Sequence, residues 1–129
     1  MIARPAAVLV AGGLVLVSTG FSRKYDDAAA YNNEDSSGTK HFPGFSEEVA
    51  TFLVTERSIR GIGIDTLSVD PSLAETYPVH GIVNGTGKYH LENVAELHRL
   101  PATGAYLIVA PIKIAGGSGG QVRIFGVVP

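Results

Sequence analysis

At 129 residues the chain has room for one domain, and a chain of this size buries roughly 65% of the surface its unfolded form exposes, enough for one core. A hydrophobic fraction of 45% with 17% charged residues excludes a disordered chain, and a net charge of −2 with pI near 6.0 leaves no basic footprint for nucleic acid and no polybasic membrane patch. With no cysteine there is no disulfide framework, no thiolate nucleophile and no Cys-based zinc site, so any metal must be held by His, Asp and Glu.

The chain opens with "MIARPAAVLVAGGLVLVSTG": an early Arg4, an apolar run from Ala6 to Val17, then the small residues Ser18 and Gly20. This layout suits a secretory signal and is short for a membrane span. The rival reading is a buried β-strand over residues 13–19, since Val15 and Val17 favour strands and Gly12-Gly13 suit a turn before one. "YDDAAAY" (25–31) predicts a short helix with its acidic residues in the first turn, and "NNEDSSGTK" a polar loop. Ser46 is the expected N-cap of a helix that continues with Glu47 and Glu48, with Val49, Phe52, Leu53 and Glu56 at helical spacing. "GIGID" (61–65) is a short buried strand, and "AYLIVAPIKI" (105–114) and "QVRIFGVVP" are strands on either side of a "GGSGG" turn. The mixture is α/β or α+β, with 1–129 read as a single domain.

The chemistry concentrates in "YPVHGIVNGTGKYHLEN", residues 77–93. Its first part predicts one helical turn after Pro78, ended by Gly85 and Gly87. Alternation in "GKYHLE" then puts Lys88, His90 and Glu92 on one face and Tyr89 and Leu91 on the other. An imidazole at His80 and a carboxylate at Glu92 are the donor types of catalytic zinc or manganese sites, and equally the ordinary polar residues that flank a turn. The four histidines stand at 41, 80, 90 and 98, so there is no His-x-x-x-His, and neither a nucleophile elbow nor a phosphate-binding glycine loop occurs. Asp65, Ser68 and Asp70 are expected to brace the turn after the "GIGID" strand, with a role near the substrate as the alternative. His41 and Phe42 either wall a substrate pocket, with Phe42 as an aromatic platform, or form a plain entry to the Ser46 helix. Lys113, Arg123 and His98 read as surface charges.

Over residues 13–129, "GIGIDTLSVD", "PVH" with Glu92-Asn93 twelve residues after His80, and "PIKIAGGSGGQVR" resemble the C-terminal half of the cyclase family. This is the metal-dependent hydrolase family that includes bacterial kynurenine formamidase and isatin hydrolase. The resemblance implies a swivelling β/α/β fold, with a barrel-like mixed sheet and flanking helices, incomplete at the N-terminus. It also favours the strand reading of residues 13–19. It implies a divalent zinc or manganese centre in which His80 and Glu92 are ligands, weakly bound or absent in this chain alone, and hydrolysis of a C–N bond in a small amide or formamide. Arylformamidase chemistry, from N-formylkynurenine to kynurenine in tryptophan catabolism, is one such case.

The family's His-x-Gly-Thr-His-x-Asp motif is absent from the 129 residues, as is its proton-shuttling histidine, so no catalytic residue is assigned here. The implied partners are a small-molecule substrate and either a second copy of the chain or a complementing N-terminal half, with no nucleic acid and no membrane. His90 stands where the family resemblance implies an apolar residue, and is expected to be solvated or packed, with contact to a metal as the lesser alternative. The alternative function is a non-catalytic remnant of the fold that binds a partner. The expected location is the cytoplasm, or outside the cell if residues 1–20 are a signal peptide.

Overall fold

A computed structural model describes residues 12–129 of the chain. The apolar run from Ala6, and with it the choice between signal and strand, therefore lies partly outside the described residues. Its end, Leu14–Val17, is a strand, β1. β1 pairs in parallel with β2 (Gly61–Ile64), and β2 with β3 (Tyr89–Leu91), so β2 is central in a three-stranded sheet. Parallel neighbours need crossovers, and helices provide them: α1 (Ala28–Asn32) and α2 (Glu47–Glu56) between β1 and β2, and α3 (Pro78–Gly85) between β2 and β3.

β2 reads Gly-Ile-Gly-Ile and is buried throughout. Alternation sends Ile62 and Ile64 into the core, where they meet Leu53 and Val54 of α2 and Val79 and Val83 of α3. At roughly 1.5–3 kcal/mol for each fully buried aliphatic side chain, this cluster is the main source of stability. The glycines let the neighbouring strands close in: a Cβ on Gly63 would meet Leu16 Cδ2 at 2.5 Å, and one on Gly61 would run into the carbonyl of Tyr89.

The Ser46 cap is as expected, its hydroxyl accepting from Val49 N–H at 3.3 Å. The face of α2 is not the one the spacing suggested. Ala50, Leu53 and Val54 are buried, whereas Val49 and Phe52 are exposed, because α2 turns its 50/53/54 edge to α3 and the sheet. The helix expected from Tyr25 begins only at Ala28, since the Asp27 carboxylate accepts from Ala29 and Ala30 N–H and so acts as the cap; a 3₁₀ turn, Phe21–Lys24, precedes it. α3 also corrects the sequence reading, running for two turns where one was expected.

Asp65, directly after β2, reaches across to the turn after β1. It accepts from Thr19 N–H (2.8 Å), the Thr19 hydroxyl (2.6 Å) and Gly20 N–H (2.9 Å). Burial alone would raise its pKa, but these bonds outweigh it and hold the carboxyl below its ordinary 3.8. The buried Tyr31 hydroxyl lies 2.8 Å from Asn93 Oδ1 and 3.1 Å from the Asp65 carbonyl, tying α1 to the ends of β2 and β3.

The contacts divide the chain into two compact units. Residues 12–98 hold the sheet and helices described above; Arg99–Pro129 form an antiparallel hairpin of β4 (Tyr106–Pro111) and β5 (Val122–Val127). The expected strands on either side of "GGSGG" are thus a hairpin. Among the described residues no helix is long and apolar enough to cross a membrane.

Candidate metal centre

The site begins with a buried carboxylate. Asp70 is 1% exposed and lies in the loop between β2 and α3. Its Oδ1 accepts from Val79 N–H at 2.8 Å and its Oδ2 from His80 N–H at 3.3 Å, so it caps α3 from eight residues upstream. That cap, with Pro78 at the first helical position, gives α3 its second turn despite Gly81 and Gly85. Oδ2 also lies 2.5 Å from His80 Nδ1. The carboxylate can only accept there, so Nδ1 carries a proton and Nε2 is the nitrogen turned towards Glu92.

The loop holding Asp70 is fixed by Gly44. Phe45 N–H donates to the Val69 carbonyl at 2.8 Å, and a Cβ on Gly44 would run into the backbone of Asp70 and Pro71. Only glycine permits that approach.

From the other side come His90 of β3 and Glu92, which directly follows the strand. Glu92 Oε1 accepts from Val69 N–H at 3.1 Å and stands 3.4 Å from His80 Nε2 and 3.8 Å from His90 Nε2. His90 Nδ1 lies 3.1 Å from Asn84 Oδ1, an acceptor on the same helix as His80. The two imidazoles meet edge to face with centroids 4.3 Å apart. One ligating atom from each of His80, His90 and Glu92 lies within 4.8 Å of the other two. Atoms bound to one ion at 2.0–2.2 Å stand roughly 3–4 Å apart, so the three are close to that geometry. Two neutral imidazole nitrogens and a carboxylate are a donor set that fits a divalent ion.

His80 and Glu92 converge as expected. Of the two states expected for His90 the structure shows the packed one: it is half-buried against His80, because α3 and β3 are joined by a tight turn at Thr86–Lys88 that folds the strand back along the helix. Burial, first, and the neighbouring His80 hold its pKa below the ordinary 6.5.

An open cavity of about 630 Å³ adjoins these residues, with Phe42, Leu67, Pro71 and Tyr77 among its walls and His80 and Glu92 at its edge. Phe42 therefore lies on the cavity. His41 does not line it; its Nε2 is 2.8 Å from Asp35 Oδ2 in the preceding loop, and this pairing, followed by the Ser37 hydroxyl, holds Asp35 well below the usual carboxylate range. Ser68 caps its own turn, donating nothing to the site, and its hydroxyl accepts from Asp70 N–H at 3.1 Å. Lys113, Arg123 and His98 are exposed, the first two on the hairpin unit. Sequence reasoning gave Asp70 first a bracing role, with a place near the substrate as the alternative, and passed over Asn84. The available signal was a carboxylate upstream of Pro-Val-His with no local N–H left to cap.

Comparison with known proteins adds the following. The family described as "Putative cyclase" matches residues 2–71, which include Phe42 and Asp70. Isatin hydrolase of Roseibium aggregatum is 32% identical over 123 residues, covering 92% of this chain and 46% of that protein. Isatin hydrolase A from Ralstonia solanacearum superposes with a TM-score of 0.86 at 35% identity, over 94% of this chain and 47% of that one. Isatin hydrolase A from Labrenzia aggregata, bound to benzyl benzoate, gives 0.85 at 39% identity, over 92% and 47%. The chain thus spans about half the length of the relatives it matches, and its α/β architecture is theirs.

Proposed function

The chain belongs to the cyclase family of metal-dependent hydrolases, and from that premise we propose that it supplies the His80–Glu92 side of a divalent metal centre, zinc or manganese, that hydrolyses a C–N bond in a small aromatic amide. The observation that carries this reading is the convergence of His80 Nε2 and Glu92 Oε1 at 3.4 Å beside a cavity, with His80 turned there by a buried carboxylate. When bound, a divalent ion supplies a Lewis acid for the amide carbonyl and makes water a nucleophile near neutral pH.

The chain's own residues do the rest. Asp70 fixes the His80 tautomer and ring angle, as outer carboxylates do for metal-bound histidines. Val69 N–H holds Glu92 by one oxygen and leaves the other free. Phe42 and Tyr77 offer aromatic faces to a planar substrate and exclude water along one wall. The likeness to isatin hydrolases favours a cyclic amide such as isatin over the open-chain N-formylkynurenine. Catalysis then requires the His-x-Gly-Thr-His-x-Asp ligands from a second polypeptide, and we include a complementing half or a homo-oligomer in the proposal.

The test is complementation. The chain is assayed alone and with a cyclase-family polypeptide that carries His-x-Gly-Thr-His-x-Asp, on isatin and on N-formylkynurenine, with zinc and with manganese. Alone it gives no turnover above metal in buffer; complemented, it turns over isatin, and His80→Ala and Glu92→Gln each abolish both turnover and stoichiometric metal. A complemented assembly whose metal content ignores both substitutions would overturn the reading.

A further inference from the structure

His90 is the residue that the reading above leaves unused. Its Nδ1 faces Asn84 Oδ1, an oxygen that can only accept, so Nδ1 carries the ring proton. Its Nε2 is then an unprotonated lone pair. It points to Glu92 Oε1 at 3.8 Å, too far for a hydrogen bond and without a proton to make one.

His80 repeats the arrangement, with Asp70 in place of Asn84. Two imidazoles, each fixed through Nδ1 by an oxygen of its own support, thus turn their Nε2 atoms to one carboxylate. The ligand residues stand on regular elements, His80 on α3 with Asn84, His90 on β3 and Glu92 directly after it, and the loop that brings Asp70 is pinned to the start of α3 by its two backbone bonds. Building a site on a helix and a strand holds it more closely than a loop does.

We propose that His90 is a third ligand, and that His80, His90 and Glu92 form a two-histidine, one-carboxylate site that takes a divalent first-row transition ion without any residue from outside the chain. The proposal rests on the reading of His80 and Glu92 as ligands and adds to it that the half-site is self-sufficient. Imidazole-rich sites of this kind suit zinc and cobalt, and three protein ligands leave a position open for water.

The test uses the 129-residue chain with Co²⁺, followed by its visible absorption, and with Zn²⁺, followed by proton–nitrogen correlation spectra of the imidazole rings. One ion binds per chain, the Nε2 resonances of His80 and His90 move together, and both Nδ1 atoms stay protonated. His90→Gln weakens Co²⁺ binding by at least about ten-fold, the loss that removal of even an outer partner can bring, while His98→Gln leaves it unchanged. A His80 response with a silent His90, or wild-type affinity in His90→Gln, overturns the proposal and leaves His80 and Glu92 as ligands. If neither ring responds the proposal also falls, and the metal content of the complemented His80→Ala and Glu92→Gln assemblies decides the reading beneath it. Should His90→Gln fail to fold, the spectra of the unmodified chain decide alone.

Discussion

Asp70 joins folding to chemistry in one carboxylate. It caps α3 and orients His80, and it is nearly fully buried. Asp70→Asn keeps the shape but sets an amide N–H₂ where N–H groups already point. We expect a loss of about 2–3 kcal/mol in urea unfolding, the scale of a hydrogen bond to a charged group, and a ten- to hundred-fold or so loss of metal affinity. Asp65 and Tyr31 set the pH limits of the fold. The folded Asp65 pKa lies below 3.8, so its contribution is complete above that value and lost as pH falls through the lower folded one. The Tyr31 pKa is pushed up from 10.0 to about 12, by burial first and then by the Asp65 charge. Its contribution is present below 10.0 and lost as pH rises through about 12. Thermal midpoints measured against pH should fall at both ends, with Asp65→Asn flattening the acid limb and Tyr31→Phe the alkaline one.

At the scale of the element, α2 offers a direct check on which of its faces is structural. Leu53 is 4% exposed and Phe52 43%, although both are large and apolar. Leu53→Ala should cost ~2–4 kcal/mol through lost contact and a residual cavity, whereas Phe52→Ala should cost well under ~1 kcal/mol. Equal losses in denaturant melts would mean that the helix is rotated from the orientation described. Gly44 belongs to the same scale, since the loop it leads packs directly on the backbone of the Asp70 segment. Gly44→Ala should displace that loop, costing ~1–3 kcal/mol by overpacking and lowering metal affinity along with stability.

The whole molecule has apolar surface left over. On the hairpin, Tyr106 stands opposite Val127 and Ile108 opposite Phe125, and all four are exposed, Tyr106 at 78%. A contiguous apolar strand face of this kind favours association. We expect the isolated chain to self-associate at tens of micromolar, and Ile108→Lys with Phe125→Glu to shift it towards monomer in sedimentation velocity. A single monomeric boundary for the unaltered chain, with cooperative unfolding, would count against this.

Local rules carried far in this sequence. Ser46 announces a helix because a hydroxyl at that place has one N–H to bind, and Gly-Ile-Gly-Ile announces a buried strand because nothing in it is polar. The pairing of His80 with Glu92 was legible as well, through resemblance to a family and the spacing of the two residues. What lay beyond the sequence were the facts that depend on who meets whom across the fold. The buried edge of α2 was set by where α3 lies; the length of α3 was set by a carboxylate eight residues upstream of its first position; and His90 was turned inward by a turn that lays β3 beside its helix. A side chain's partners over such distances are fixed by packing, which residue order constrains only through the finished fold, and so the meeting of His90 with His80 came from the tertiary structure, although alternation already put His90 on the face of Glu92.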